Sequence, residues 1–212
     1  QHMIRPEIEP TGALQNARVA AVQMVSTPDV EENLQAAATL VAEAVAQGAD
    51  LVALPEYFPI MGLNEGDKVL VREPDGGGPI QDWLAATAAH HGIWLIGGSI
   101  PLAASTPDKV LNSSVAYGPE GGRVARYDKI HLFGFQKGAE RYNESATIEA
   151  GHEPVAFDTP FGRIGLSICY DLRFPELYRA LGEVDLLAIP AAFTETTGRA
   201  HWEILLRARA IE

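Results

Sequence analysis

A single cysteine, Cys169, is present in the 212-residue chain, so no intrachain disulfide can form and packing alone must hold the fold. Basic residues are scarce as well: 16 Lys and Arg stand against 28 Asp and Glu, a formal net charge of −12, and no stretch concentrates the positive ones. Such a surface repels phosphate backbones and anionic lipid, which argues against nucleic acid and membrane surfaces as partners. No apolar run reaches the ~20 residues needed to span a bilayer, and the start lacks the basic-then-apolar order of a secretion signal. A reducing, cytoplasmic setting is therefore expected. The six histidines fall at no spacing that a helix or hairpin would turn into a metal site, so no metal is expected. What the chain does have is apolar material, 47% hydrophobic against 21% charged residues, enough for one sizeable core.

Gln1-His2-Met3 reads as a cloning remnant before an initiator methionine, and residues 1–16 are set aside as a leader, which leaves residues 17–212 as one domain. Residues 18–25 form a short apolar run of strand length, and after Pro28-Asp29 the side chains of Leu34, Ala37, Ala38, Val41 and Val45 share one face of a helix that stops at Gly48. Residues 50–54 are continuously apolar, as a parallel strand covered on both faces would be, and the run ends at Pro55-Glu56. Behind the glycines 76–78 come a helix over residues 79–90 and a strand over residues 93–100.

The pattern then changes. Strands over residues 111–117 and 123–127 flank the turn Pro119-Glu120-Gly121-Gly122, which predicts an antiparallel hairpin followed directly by Lys129. Residues 134–151 read as a loop rich in glycine and charge. Strands near residues 154–157 and 163–168 surround Pro160-Phe161-Gly162, and Cys169 follows the second. A helix over residues 175–181, a strand over 184–189 and a helix from 199 onward complete the chain; the last has no glycine or other stop signal, so the sequence is expected to be a fragment that finishes in mid-element. Alternation of this kind predicts an α/β sandwich with mixed sheets packed together and helices on the outer faces.

Side chains at the carboxyl ends of strands converge on the ligand crevice of α/β sheets, and three such positions hold Glu56, Lys129 and Cys169. A thiol has an ordinary pKa of about 8.5, so a nucleophilic cysteine needs a base to take its proton and a cation to favour the thiolate. Glutamate and lysine supply both. The alternative is that Cys169 is a small buried hydrophobe, the fate of most free cysteines; a redox role lacks a resolving cysteine. His131 competes for the role of base with Glu56 and reads better as a structural histidine. The glycines 76–78 could cradle an anion at a helix start but lack the lysine and spacing of a phosphate loop, so a turn is expected. Trp202 and Leu206 fit an apolar helix face for core or subunit contact.

Three stretches carry a resemblance: Leu54-Pro55-Glu56-Tyr57, then Tyr127-Asp128-Lys129-Ile130-His131-Leu132, then Cys169-Tyr170-Asp171-Leu172-Arg173-Phe174-Pro175-Glu176-Leu177. In kind, order and separation they resemble the Glu, Lys and Cys motifs of the nitrilase (carbon–nitrogen hydrolase) superfamily, over nearly the whole chain after the leader. The resemblance implies a four-layer α-β-β-α sandwich whose last strands follow the final helix and are missing here. It implies Glu56 as general base, Cys169 as nucleophile, and Lys129 with the Tyr170 amide as oxyanion donors. Glu144 is the matching position for the family's second glutamate, against the alternative of a solvated loop carboxylate. Ala200-His201-Trp202-Glu203 and the residues after Cys169 are similar to the Nit or omega-amidase branch. The implied substrates are small carboxylate-bearing amides, either omega-amides of 2-oxo dicarboxylic acids or deaminated glutathione. Arg173 is then a candidate for binding the carboxylate, or else an ion-pair partner of Asp171 or Glu176. Tyr57, Phe193 and Thr194 are candidate pocket residues that could equally be core. A homo-oligomer, dimer or higher, is implied, with no cofactor. Acyl transfer by the same triad and a non-catalytic binding protein are the competing functions.

Overall fold

The computed structural model describes residues 16–138 and 140–212, so the leader expected over residues 1–16 lies almost wholly outside the described residues. The chain runs β1 (Val19–Ala21), α1 (Val30–Ala46), β2 (Leu51–Ala53), a single turn α2 (Asp67–Leu70), α3 (Pro79–His91), β3 (Trp94–Ile96), β4 (Ile100–Ala103), β5 (Val110–Tyr117) and β6 (Arg123–Asp128). It continues through β7 (Gly134–Lys137), β8 (Glu140–Asn143), β9 (Ile148–Glu149), β10 (Ala156–Thr159), β11 (Gly162–Leu166), α4 (Pro175–Ala180), β12 (Leu186–Ala188) and α5 (Glu195–Ile211).

The layers follow from which face each strand residue presents. Strands β1, β2 and β3 pair in parallel, and β5 joins β3 antiparallel and also takes β4, β6 and β9 along its length. On one face of this sheet Val52, Leu54, Leu95, Val115 and Tyr117 pack with Leu34, Val41, Leu84 and Ala88 of α1 and α3. Leu51, Ile96, Ala116 and Tyr127, offset by one residue, point the other way and pack with Phe157, Ile164, Leu166 and Ala188 of the second sheet, β10-β11-β12. Both faces are covered, and that is why residues 51–54 are apolar without alternation. Behind the second sheet lies α4: a side chain placed on Gly165 of β11 would meet Leu181 at 2.8 Å, so glycine lets helix and strand approach. Helices, sheet, sheet and helix make the expected four layers.

Some local expectations are corrected. The strand expected over residues 93–100 breaks at Gly97 and Gly98 into β3 and β4. Gly98 has φ +54°, and a Cβ there would lie 2.0 Å from the Pro55 carbonyl oxygen, so the chain can turn under the Glu56 loop only with glycine. The loop expected over residues 134–151 holds the β7–β8 hairpin and β9. Helix α5 starts at Glu195, four residues before the expected start, because the Thr194 side chain caps it by accepting from Thr197 N. The glycines 76–78 hold no vacant anion cradle: the buried Glu73 carboxylate already accepts from Ile80 N at 2.5 Å and Gln81 N at 3.1 Å at the start of α3. Among the described residues no helix is long and apolar enough to cross a membrane.

Candidate active site

Glu56 stands three residues beyond β2, Lys129 directly after β6, and Cys169 three residues beyond β11. The two sheets present these ends to one another: Glu56 and Cys169 line a cavity of about 370 Å³, and Lys129 is buried behind it against Glu56. That size suits a small organic substrate.

Each position is held by its backbone. Ser99 Oγ accepts from Tyr57 N at 3.0 Å, which ties the Glu56 loop to the start of β4. Lys129 N donates to Asn112 O and its carbonyl accepts from Gly151 N, both at 2.9 Å. Cys169 N donates to Pro190 O at 2.8 Å, across to the segment after β12. Among the described residues only two non-glycine residues have positive φ, Tyr57 at +49° and Cys169 at +47°. Such conformations cost on the order of 1–3 kcal/mol each and persist where the surroundings over-determine them. Both belong to the site.

The charges are arranged around the lysine. Lys129 Nζ donates to Glu56 Oε1 at 3.0 Å and to both oxygens of Glu144 at 2.9 Å. Burial alone would push this fully buried amine down, but Glu56 and Glu144, with Cys169 adding to them, outweigh it and hold Lys129 protonated, above its ordinary value. Glu56, 4% exposed, also accepts from Asn112 Nδ2 at 3.0 Å and from Ala192 N at 2.9 Å. Glu144 additionally accepts from Phe133 N at 2.6 Å, and burial pushes its carboxyl above the ordinary range against the pull of Lys129. The solvated-loop alternative for Glu144 is thereby excluded.

Burial also pushes the Cys169 thiol well above its ordinary value; the charge of the nearby Glu56 carboxylate raises it further, and Lys129 only partly opposes them. Both influences favour the neutral thiol over the thiolate. The rate of Cys169 alkylation by iodoacetamide is accordingly expected to keep rising with pH beyond ~8.5, where an ordinary thiol levels off. A plateau below that pH would show a preformed thiolate and contradict this arrangement.

Of the other candidates, Tyr57 and Thr194 line the cavity. Tyr170, Arg173, Phe193 and Thr194 border a narrow cleft of about 20 Å³ that shares Phe133, Cys169, Ala192 and Thr194 with the cavity. Arg173 forms an ion pair with neither Asp171 nor Glu176; its guanidinium stacks over the Tyr170 and Phe193 rings at 5.8 and 5.6 Å and contacts His201 Nδ1 at 3.2 Å. The Tyr170 N–H opens the 3-10 turn Cys169–Arg173, where N–H groups lack acceptors within the turn. His131 is structural: Nδ1 lies 2.7 Å from the buried Asp171, and its ring stacks on Phe174 at 3.7 Å. Asp171 also accepts from Tyr127 OH at 2.7 Å and Ile168 N at 2.9 Å, which joins the lysine and cysteine segments. Trp202 packs on Phe193 at 4.9 Å.

Sequence reasoning missed Asn112 and the joining role of Asp171. Asn112-Ser113-Ser114 inside an otherwise apolar strand was a signal for a buried polar partner; Lys68, on the single helical turn α2, lines the cavity with no such signal in the sequence. No group of His, Cys, Asp and Glu among the described residues could hold a metal ion.

The family model for carbon-nitrogen hydrolase matches residues 18–212. The chain is 44% identical over 199 residues to a deaminated glutathione amidase of Synechocystis sp., covering 91% of this chain and 72% of that protein. It is 40% identical to an omega-amidase of Xenopus tropicalis, covering 92% of this chain and 70% of that one. The fold superposes on the crystal structure of the C. elegans NitFhit protein with a TM-score of 0.77 at 39% identity, covering 91% of this chain and 48% of that longer one.

Proposed function

From the premise that this chain belongs to the carbon–nitrogen hydrolase family, we propose that it hydrolyses a small carboxylate-bearing amide through a thioester on Cys169, with Glu56, Lys129 and Glu144 as the other catalytic groups. The observation that carries the reading is the placement of one protonated lysine between two carboxylates, one of which, Glu56, lines the same cavity as the thiol of Cys169.

The chemistry follows from that placement. As the thiol sulfur attacks the amide carbon, its proton passes to Glu56, and the S–C bond forms while the carbonyl π electrons move to oxygen. Burial and the Glu56 charge favour the neutral thiol, so in this reading proton transfer accompanies attack. The oxyanion is met by the Tyr170 N–H and by the Lys129 ammonium, which turns one of its three N–H donors away from Glu144 toward it while Glu56 and the other Glu144 oxygen keep the amine in place. Glu56 then returns the proton to the departing nitrogen as the C–N bond breaks, leaving the thioester. Water attacks the thioester carbon while Glu56 takes its proton; as the C–S bond breaks Glu56 returns that proton to sulfur, so the acid leaves and the thiol is restored. Glu144 keeps Lys129 charged and positioned throughout.

The deaminated glutathione amidase and omega-amidase relatives guide the substrate class: an acid whose amide stands at the end remote from a carboxylate. The same reading keeps the single thiol in the reducing cytoplasm and assembles copies through outer helices, where Ile204 of α5 is 65% exposed. The test is to mix the protein with glutaramate, 2-oxoglutaramate and deaminated glutathione, measure acid and amine release, and follow intact mass. The expected result is an adduct of the acyl group's mass mapping to Cys169, with free acid as product. Turnover with no Cys169 adduct under rapid quench, or an ester or hydroxamate formed in preference to acid when an acceptor is present, would overturn thioester hydrolysis.

A further inference from the structure

We propose that Lys68 is a specificity-determining residue that anchors a carboxylate of the amide substrate, and that Glu65 holds this place in the free enzyme. The inference rests on the hydrolase reading and extends it to the wall of the cavity. Among the described residues four charged side chains line that cavity: the carboxylates Glu56, Glu65 and Glu144, and one cation, Lys68. Lys129 lies beneath, fully buried, and its single positive charge is shared by two carboxylates. An anionic substrate therefore approaches a region of negative excess, and the wall cation is what can make its entry favourable.

Lys68 is built for this. Its side chain is 16% exposed, laid against the wall with Nζ 5.6 Å from the centroid of the Tyr57 ring. Among the described residues Nζ has one partner, Glu65 Oε2 at 2.9 Å, so two of its three N–H donors stay available. Glu65 reaches it from the solvent side, 55% exposed, and so occupies the position of a ligand carboxylate that a stronger one can displace. The Tyr57 hydroxyl is buried and has no hydrogen-bond partner, a second donor left open in the same wall. The competing anchor, Arg173, borders a cleft of about 20 Å³. That volume holds roughly one water molecule, not a carboxylate chain.

The experiment compares wild-type, Lys68→Met, Lys68→Arg, Glu65→Gln and Arg173→Met proteins on three amides: glutaramate, with its carboxylate on the acyl portion; N-butanoylglycine, with it on the leaving amine; and neutral butanamide. Lys68→Met is expected to raise KM about 10- to 100-fold for one or both anionic amides, as loss of a charge-assisted hydrogen bond does, with kcat and the neutral amide unchanged. Lys68→Arg restores most of the loss, and Glu65→Gln lowers KM for the same amide. Whichever anionic amide responds identifies the portion held. Equal losses on charged and neutral amides, or a charge-selective loss in Arg173→Met alone, would overturn the proposal. Protection of Cys169 from iodoacetamide by glutarate, in wild-type and Lys68→Met, gives a binding readout independent of turnover. Absent turnover with Lys68-dependent protection sinks the hydrolase reading and keeps the anchor; protection equal in both proteins sinks the anchor.

Discussion

Cys169→Ala is expected to lose at least ~10⁴-fold in kcat on any amide the wild-type hydrolyses, as removal of a covalent nucleophile does, while the protein stays folded. Without sulfur no thioester forms, and Glu56 and Lys129 have no bound nucleophile to activate. Stability should change little. The side chain loses one buried atom, its backbone remains in the left-handed region that alanine tolerates no better or worse, and the Glu56–Lys129–Glu144 cluster keeps its hydrogen bonds. Steady-state kinetics, intact mass and a thermal scan on one preparation decide it. Retention of more than ~1% of turnover would mean that water attacks directly and would remove Cys169 from the mechanism.

Lys129→Met should abolish turnover and, unlike Cys169→Ala, unfold the protein easily. Two buried carboxylates, Glu56 and Glu144, would face each other without their cation, and removing one partner of such a buried cluster costs about 3–5 kcal/mol. The pH dependence has a definite sign. In the variant a carboxyl must take up a proton to remain buried, so its folded-state pKa lies above its unfolded value of roughly 4.3. A raised pKa contributes stability at low pH that is lost as pH rises, so Lys129→Met should be relatively more stable at pH near ~5.5 than near ~7.5. Adding Glu144→Gln removes one of the two charges and should recover part of the loss without recovering activity. Urea unfolding of the single and double variants at both pH values measures this. A loss of under ~1 kcal/mol in the single variant would show that the cluster is not held as buried charge.

The two variants separate what a linear reading could and could not supply. Leu54-Pro55-Glu56, Asp128-Lys129 and Cys169-Tyr170-Asp171 each put a reactive side chain just past an expected strand, and their resemblance to the three motifs of one family singled them out together. The same runs predicted α1, β2, α3, the β5–β6 hairpin and the four-layer arrangement. Glycine-rich stretches misled, because glycine can mark a loop, a break in a strand or a close approach. Gly98 breaks one expected strand into β3 and β4, and the glycine-flanked segment before Glu144 contains a hairpin.

By itself, then, the sequence determined the fold class, because hydrophobic periodicity is a property of short stretches, and it pointed to Glu56, Lys129 and Cys169 through three short motifs that resemble those of one family. Tertiary structure decided the rest. Glu144 became a partner of Lys129 only because the turn after β8 folds back onto Phe133, and Asn112 reaches Glu56 across 56 residues of chain only through the register of β5. Arg173 was a reasonable cation to choose from its motif, yet packing stacks it over a narrow cleft and leaves Lys68 on the wide side. Which polar side chains share a buried site depends on strand order and loop closure, and no local preference encodes either.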